Sequence, residues 1–214
     1  MAPRVKPELI IVQDVSVVAA ERFLALRPRT VALAGGSTPR GLYERLVTCA
    51  FPWSETEIFF GDERCVSPDH PDSNYRMARE ALLSKVPANV HRMPGETCDA
   101  EAYEAELRKL FGAGLPEFDL VLLGLGEDGH TASLFPGDPA LEEQQRWVVR
   151  VERPDHPRLT LTPPVLSAAQ VALFLVSGAA KREALRRLCD GDDIPATLVQ
   201  AKRVVILADQ DAAS

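Results

Sequence analysis

No apolar run in this chain approaches the ~20 residues that a bilayer span requires, and the polar start at residues 1–8 does not read as a secretory leader. A membrane role is therefore not expected. Basic residues are in the minority, 24 against 31 acidic ones, for a net charge of −7. That balance gives no broad positive field for a nucleic acid or an anionic lipid surface, so an anionic ligand would need a local cationic pocket. The cysteines, at 49, 65, 98 and 189, show no close pairing, and the histidines, at 70, 91, 130 and 156, are equally scattered. This spacing excludes the usual zinc motifs, and no metal site is expected. It also fits a cytoplasmic protein with reduced thiols. Internal repeats and low-complexity linkers are missing too. Residues 1–214 are accordingly read as one domain, of a size that buries roughly 70% of its unfolded surface and needs no disulfide or metal staple.

What is present is an alternation of short apolar runs with amphipathic segments. Strands are predicted over residues 9–12, 31–34, 57–60, 120–125, 148–151, 159–162, 171–176 and 204–208. Several are apolar at successive positions, as expected where helices cover both faces of a parallel strand. Helices are predicted over 17–26, 40–47, 74–83, 100–110 and 181–188, where apolar residues recur at steps of three and four. The expected fold is a doubly wound α/β sheet, mainly parallel, with helices on both faces. In such sheets the chemistry sits in a crevice at the carboxyl ends of the strands.

Four strand ends carry chemical signals. The run 119–125 breaks into glycines and then presents Asp128 and His130 two residues apart. Imidazole is the side chain whose ordinary pKa, about 6.5, lets it accept a proton near neutrality, which makes His130 the candidate general base. Asp128 either orients that ring or meets a substrate hydroxyl. After residues 31–34 comes Gly35-Gly36-Ser37-Thr38-Pro39, a turn in which Thr38 or Ser37 can cap the helix and Pro39 suits its first position. Free amides at Gly36 and Ser37 would then face an anion. The turn matches neither the dinucleotide glycine pattern nor the Walker loop, so no nucleotide cofactor is expected. Strand 57–60 runs into Gly61-Asp62-Glu63-Arg64, and Asp72-Ser73-Asn74 opens the next helix. Arginine suits phosphate through its paired donors and permanent charge. Asn74 reads first as an N-cap, and stays with Asp62 among the candidate substrate contacts. Strand 171–176 leads to Ser177-Gly178 and to Lys181 in a helix's first turn, where a cation opposes the helix dipole unless an anion is recruited. Arg158, at the head of strand 159–162, is a further candidate cation.

In order, the Ala-Gly-Gly-Ser-Thr-Pro turn, Gly-Asp-Glu-Arg, Asp-Ser-Asn, Gly-Glu-Asp-Gly-His-Thr-Ala-Ser-Leu-Phe-Pro, Arg-Leu-Thr-Leu-Thr and Ser-Gly-Ala-Ala-Lys resemble the 6-phosphogluconolactonases. The resemblance spans roughly residues 9–208. It implies a fold shared with the glucosamine-6-phosphate deaminases and ribose-5-phosphate isomerases. It also implies metal-free hydrolysis of 6-phospho-D-glucono-1,5-lactone to 6-phospho-D-gluconate in the oxidative pentose phosphate pathway. On that similarity His130 is the base, and Arg64 and Lys181 hold the substrate phosphate.

The chemistry agrees with the residues. A δ-lactone is an activated ester, so water, a base and donors for the developing oxyanion suffice, and no cofactor is required. Gly36, Ser37, Arg64, Arg158 and Lys181 would anchor the remote phosphate and so fix the carbonyl against the base. A glucosamine-6-phosphate deaminase is the near rival, but that family resembles Asp-Glu-Tyr where this chain has Asp62-Glu63-Arg64. It also carries Asn-Glu-Pro after its histidine, where this chain has Ser133-Leu134-Phe135-Pro136. A non-enzymatic sugar-phosphate sensor on the same fold would leave His130 without a purpose.

Overall fold

The computed structural model describes residues 5–214, so residues 1–4 of the polar start lie outside the described residues. The eight apolar runs become strands close to the predicted bounds, and two short strands not predicted, at 62–64 and 89–90, join them: β1 (Glu8–Val12), β2 (Thr30–Leu33), β3 (Glu57–Phe60), β4 (Asp62–Arg64), β5 (Asn89–Val90), β6 (Leu120–Leu123), β7 (Val148–Val151), β8 (Arg158–Leu161), β9 (Val171–Val176) and β10 (Arg203–Asp209). Between them lie helices α1 (Val15–Leu26), α2 (Ser37–Leu46), α3 (Asn74–Ala78), α4 (Ala100–Phe111), α5 (Pro163–Ser167), α6 (Arg182–Asp190) and α7 (Gln210–Ala213).

Seven strands form one sheet in the order β1-β10-β9-β6-β2-β3-β5, with every neighbouring pair parallel. All of β6 is buried, as are five successive residues of β9 and of β10, which is why those runs do not alternate. At the sheet's edge β1 does alternate, leaving Leu9 and Ile11 exposed. Adjacent residues of β3 show that both faces are covered, because they point to opposite sides of the sheet. Phe59 meets Phe111 of α4 and Phe118, with ring centroids 5.5 and 5.2 Å away, while Phe60 meets Tyr75 of α3 at 6.0 Å. Phe59→Ala should cost about 3–5 kcal/mol.

The chain steps from β2 to β3 to β5 in one direction, then returns to the other side of β2 for β6. That reversal opens a crevice between the carboxyl ends of β2 and β6.

Two predicted strands, β7 and β8, lie elsewhere. They join β4, which the sequence reading did not foresee, in a separate antiparallel sheet ordered β4-β8-β7. The middle of β7, half-buried Val149 and exposed Arg150, lacks the continuous burial of the central parallel strands. The predicted helix over 74–83 is also divided, since α3 ends at Ala78 and a π-helical turn covers Arg79–Leu83.

Candidate active site

A cleft of about 290 Å³ lies over the carboxyl ends of β2, β3, β6 and β9. Its lining includes Gly36, Ser37, Asp62, Arg64, Asn74, His130, Arg158 and Lys181, so the fold gathers all but one of the candidates named from sequence. The exception, Asp128, is not part of the lining but contacts His130.

His130 sits on a tightly cross-bonded loop. Its backbone carbonyl accepts from Gly126 N at 2.8 Å, and Thr131 Oγ1 donates to the Gly124 carbonyl at 2.8 Å. Asp128 Oδ1 accepts the His130 amide at 3.0 Å and lies 2.6 Å from its Nδ1. Of the two alternatives for Asp128, the contact seen is the one with the ring. With Nδ1–H donated to a carboxylate, Nε2 keeps its lone pair. Burial pushes the Asp128 carboxyl up, but the amide and imidazole of His130 outweigh it and hold it below its ordinary value. A Cβ on Gly126 would lie 2.0 Å from His130 Nδ1, so only glycine leaves room for the ring. Phe135 closes another side, its ring centroid 4.5 Å from that of His130.

The anion turn differs in detail from expectation. Neither Thr38 nor Ser37 caps α2; the N-cap is Gly36, at φ 106° and ψ 170°, and Pro39 is the third helical residue rather than the first. A side chain at Gly36 would be strained at that φ, and leaving the position without one exposes the helix amides to the cleft. Tyr43, fully buried nearly two turns into α2, clamps the end of β2: its hydroxyl donates to the Ala34 carbonyl at 2.8 Å and accepts the Ala34 amide at 3.0 Å. Asn74 is likewise not a cap, since Ser73 accepts the Arg76 amide and fills that role. Asn74 Nδ2 instead donates to the Asp62 carbonyl at 3.0 Å and to Asp62 Oδ1 at 3.2 Å.

The two arginines form the most telling pair. β4 and β8 are antiparallel neighbours with Arg64 directly opposite Arg158. Like charges so placed repel, and an anion between them would reverse the sign. Arg64 Nη1 donates to the Asp72 carbonyl at 2.6 Å and Arg158 Nη2 to Asp155 Oδ2 at 2.5 Å. Among the described residues, the Nε atoms of both are buried without a hydrogen-bond partner, in two cations that face one cleft.

A family model described as glucosamine-6-phosphate isomerases/6-phosphogluconolactonase matches residues 11–207. The chain belongs to that family. It is 46% identical over 198 residues to the 6-phosphogluconolactonase of Synechocystis, covering 86% of this chain and 82% of that one. It is 37% identical over 190 residues to the rat 6-phosphogluconolactonase, covering 80% and 74%. Among solved structures, the 6-phosphogluconolactonase from Trypanosoma cruzi superimposes with a TM-score of 0.87 at 30% identity, covering 99% of this chain and 97% of that one. A monomeric glucosamine-6-phosphate deaminase superimposes at 0.83 with 24% identity, covering 96% of this chain and 98% of that one, and so shares the fold.

Around the cleft, residues not singled out from the sequence hold the loops in place. Ser133, fully buried, donates its hydroxyl to Asp62 Oδ2 at 2.7 Å, and its amide donates to Thr160 Oγ1 at 3.2 Å, tying the histidine loop to β4 and β8. Glu63 accepts the Arg64 and Asn74 amides on one oxygen, and the Tyr75 amide and Ser73 hydroxyl on the other. Burial pushes its carboxyl up, against the pull of those three amides. At the end of β10, Asp209 accepts from Ser177 Oγ at 2.5 Å and from the Gly178 amide at 3.0 Å, fixing the start of the loop to Lys181.

One further expectation is overturned. Cys65 and Cys98 are disulfide-bonded, with Cα atoms 5.0 Å apart, so the thiols are not all reduced; Cys49 and Cys189 are free. A separation of 33 residues hid the pair. The histidines, scattered in sequence, are not all scattered in space: His70 and His156 converge on Asp72 with potential ligand atoms within 4.8 Å of one another.

Proposed function

We propose that this protein hydrolyses 6-phospho-D-glucono-1,5-lactone to 6-phospho-D-gluconate, as the names of its relatives imply. The observation that carries the reading is the facing pair Arg64 and Arg158, each with a buried Nε that has no partner among the described residues, in the same cleft as an imidazole primed by a carboxylate. The first pair fits a phosphate and the second fits a water molecule.

In this reading the phosphate sits among Arg64, Arg158, Lys181 and the amides at Gly36 and Ser37, and presents the lactone carbonyl near His130. Nε2 takes a proton as the water oxygen bonds to the C1 carbon, forming a tetrahedral oxyanion and an imidazolium. As the oxyanion collapses, the ring C1–O bond breaks, and the imidazolium returns its proton to the departing alkoxide. The acid formed then ionises to a carboxylate. Asp128 stabilises the imidazolium without taking its proton, and Asp62, bonded to Ser133 and Asn74, lines the sugar end. No cofactor enters this sequence of steps. We place the reaction in the cytoplasm; among the described residues, no helix is long and apolar enough to cross a membrane.

The decisive measurement is the rate of lactone opening in excess of an enzyme-free control, since lactones also open spontaneously. Folded protein should show a saturable excess on the 6-phosphorylated substrate. No excess would overturn the proposal.

A further inference from the structure

We propose that His70, Asp72 and His156 form a binding site for a divalent transition metal, Zn²⁺ being the natural probe, beside the Arg64 arm and outside the reaction cleft. The ligands come from two loops, one between β4 and α3 and the other between β7 and β8. His156 Nε2 lies 3.1 Å from Asp72 Oδ2, and His70 Nδ1 lies 3.8 Å from that same oxygen. Tetrahedral zinc with bonds of about 2.0–2.1 Å holds its ligand atoms about 3.3 Å apart, so these separations bracket the required one. The remaining gap, within 4.8 Å, closes by side-chain torsions, which are free because the three side chains are 31 to 54% exposed.

Ligand type points the same way. Two imidazoles and one carboxylate form a borderline-hard set that suits zinc and its neighbours better than magnesium or calcium, and leave a fourth position for water. The Asp72 amide donates to His70 Nδ1 at 3.1 Å, which places that ring's lone pair on the side facing Asp72. Metal binding at that nitrogen displaces this bond.

None of the three residues lines the cleft, yet the site is linked to it. The Asp72 carbonyl accepts from Arg64 Nη1, and His156 lies two residues before Arg158. A metal there would bind the loop after β4 to the loop before β8. Those two strands carry the opposed arginines, so the ion acts as a brace on their spacing. It plays no part in the reaction, and this inference stands whether or not the lactone is the substrate.

The test is calorimetric titration of chelator-treated protein with Zn²⁺ alone, with Co²⁺ visible absorption as a report on tetrahedral geometry. Wild type and His130→Asn should each bind one equivalent at this site and gain thermal stability. Binding should weaken about 100-fold or more in His70→Ala and in His156→Ala, each of which removes one of three ligands. Asp72→Asn, which keeps the carbonyl that holds Arg64, is the third arm and guards against a misfolded histidine variant. Absence of saturable binding in wild type would overturn the site. So would binding that any one of the three substitutions leaves unchanged, or binding that is lost in His130→Asn.

Discussion

The histidine loop and the arginine arm meet over one cleft, but they are built in opposite ways. His130 is oriented by Asp128, two residues away, and its loop closes through bonds spanning seven residues or fewer. Arg64 and Arg158 lie 94 positions apart in the sequence and become neighbours only when β4 pairs with β8. The proposed general base is therefore a local device set after a buried parallel strand. The proposed anion site is a tertiary one, held on a smaller antiparallel sheet. Local devices survive small shifts of their surroundings, whereas a paired arm depends on every element that sets its spacing.

The sharpest test of this contrast is His130→Asn. It should keep the fold, because the loop's backbone bonds remain, while lowering kcat by on the order of 10² to 10⁴, the contribution of a general base. Circular dichroism checks the fold, and rates are corrected for spontaneous hydrolysis. Turnover near the wild-type value would make His130 a loop residue only.

Arg64→Ala and Lys181→Ala probe the other half. Each should lower kcat/KM on the phosphorylated lactone by about 10- to 100-fold, the worth of a charge-assisted hydrogen bond. Each should change far less on unphosphorylated gluconolactone. Equal losses on the two substrates would break the assignment of these cations to the phosphate.

Ser133→Ala cuts the tie between the two regions. It removes the hydroxyl donated to Asp62 Oδ2 and leaves that buried carboxylate short of a donor, at a cost of about 1–3 kcal/mol. A fall in the urea midpoint with an unchanged m-value is expected. An unchanged midpoint would mean that Asp62 finds another partner.

The same division explains what could be read from the sequence. The parallel strands were legible because continuous burial leaves continuous apolar runs, as in β6, β9 and β10. His130 and Asp128 were legible because their contact is local. β4 was not, since Asp62, Glu63 and Arg64 carry no apolar signal, and the strand exists only through its pairing with β8. The Cys65–Cys98 bond and the convergence of His70 with His156 were hidden for the same reason. Gly36 took the cap from Ser37 and Thr38 because the turn needs a positive φ there, which outranked side-chain propensity.

Carboxylates that hold loops give the subtlest test, because two of them should respond to pH with opposite sign. For Asp209, burial raises the carboxyl's pKa, but the Ser177 hydroxyl and the Gly178 and Ala212 amides outweigh it and bring the value below 3.8. The unfolded chain then binds more protons than the folded one, so this group's contribution is present above the unfolded value and is lost as pH falls through the folded one. Glu63 is shifted up from 4.5 by burial, so the folded chain keeps its proton longer. Its contribution is present below 4.5 and declines as pH rises through the folded value. Urea midpoints from pH 3 to 6 would separate the two groups. Asp209→Asn should flatten the loss of stability on the acid side, and Glu63→Gln should flatten the decline above about 4.5 even though it lowers stability by setting an amide against backbone N–H donors. Slopes parallel to wild type in both variants would mean that neither carboxylate is coupled to folding in this way, and that the loops to Lys181 and Asn74 are held by packing instead.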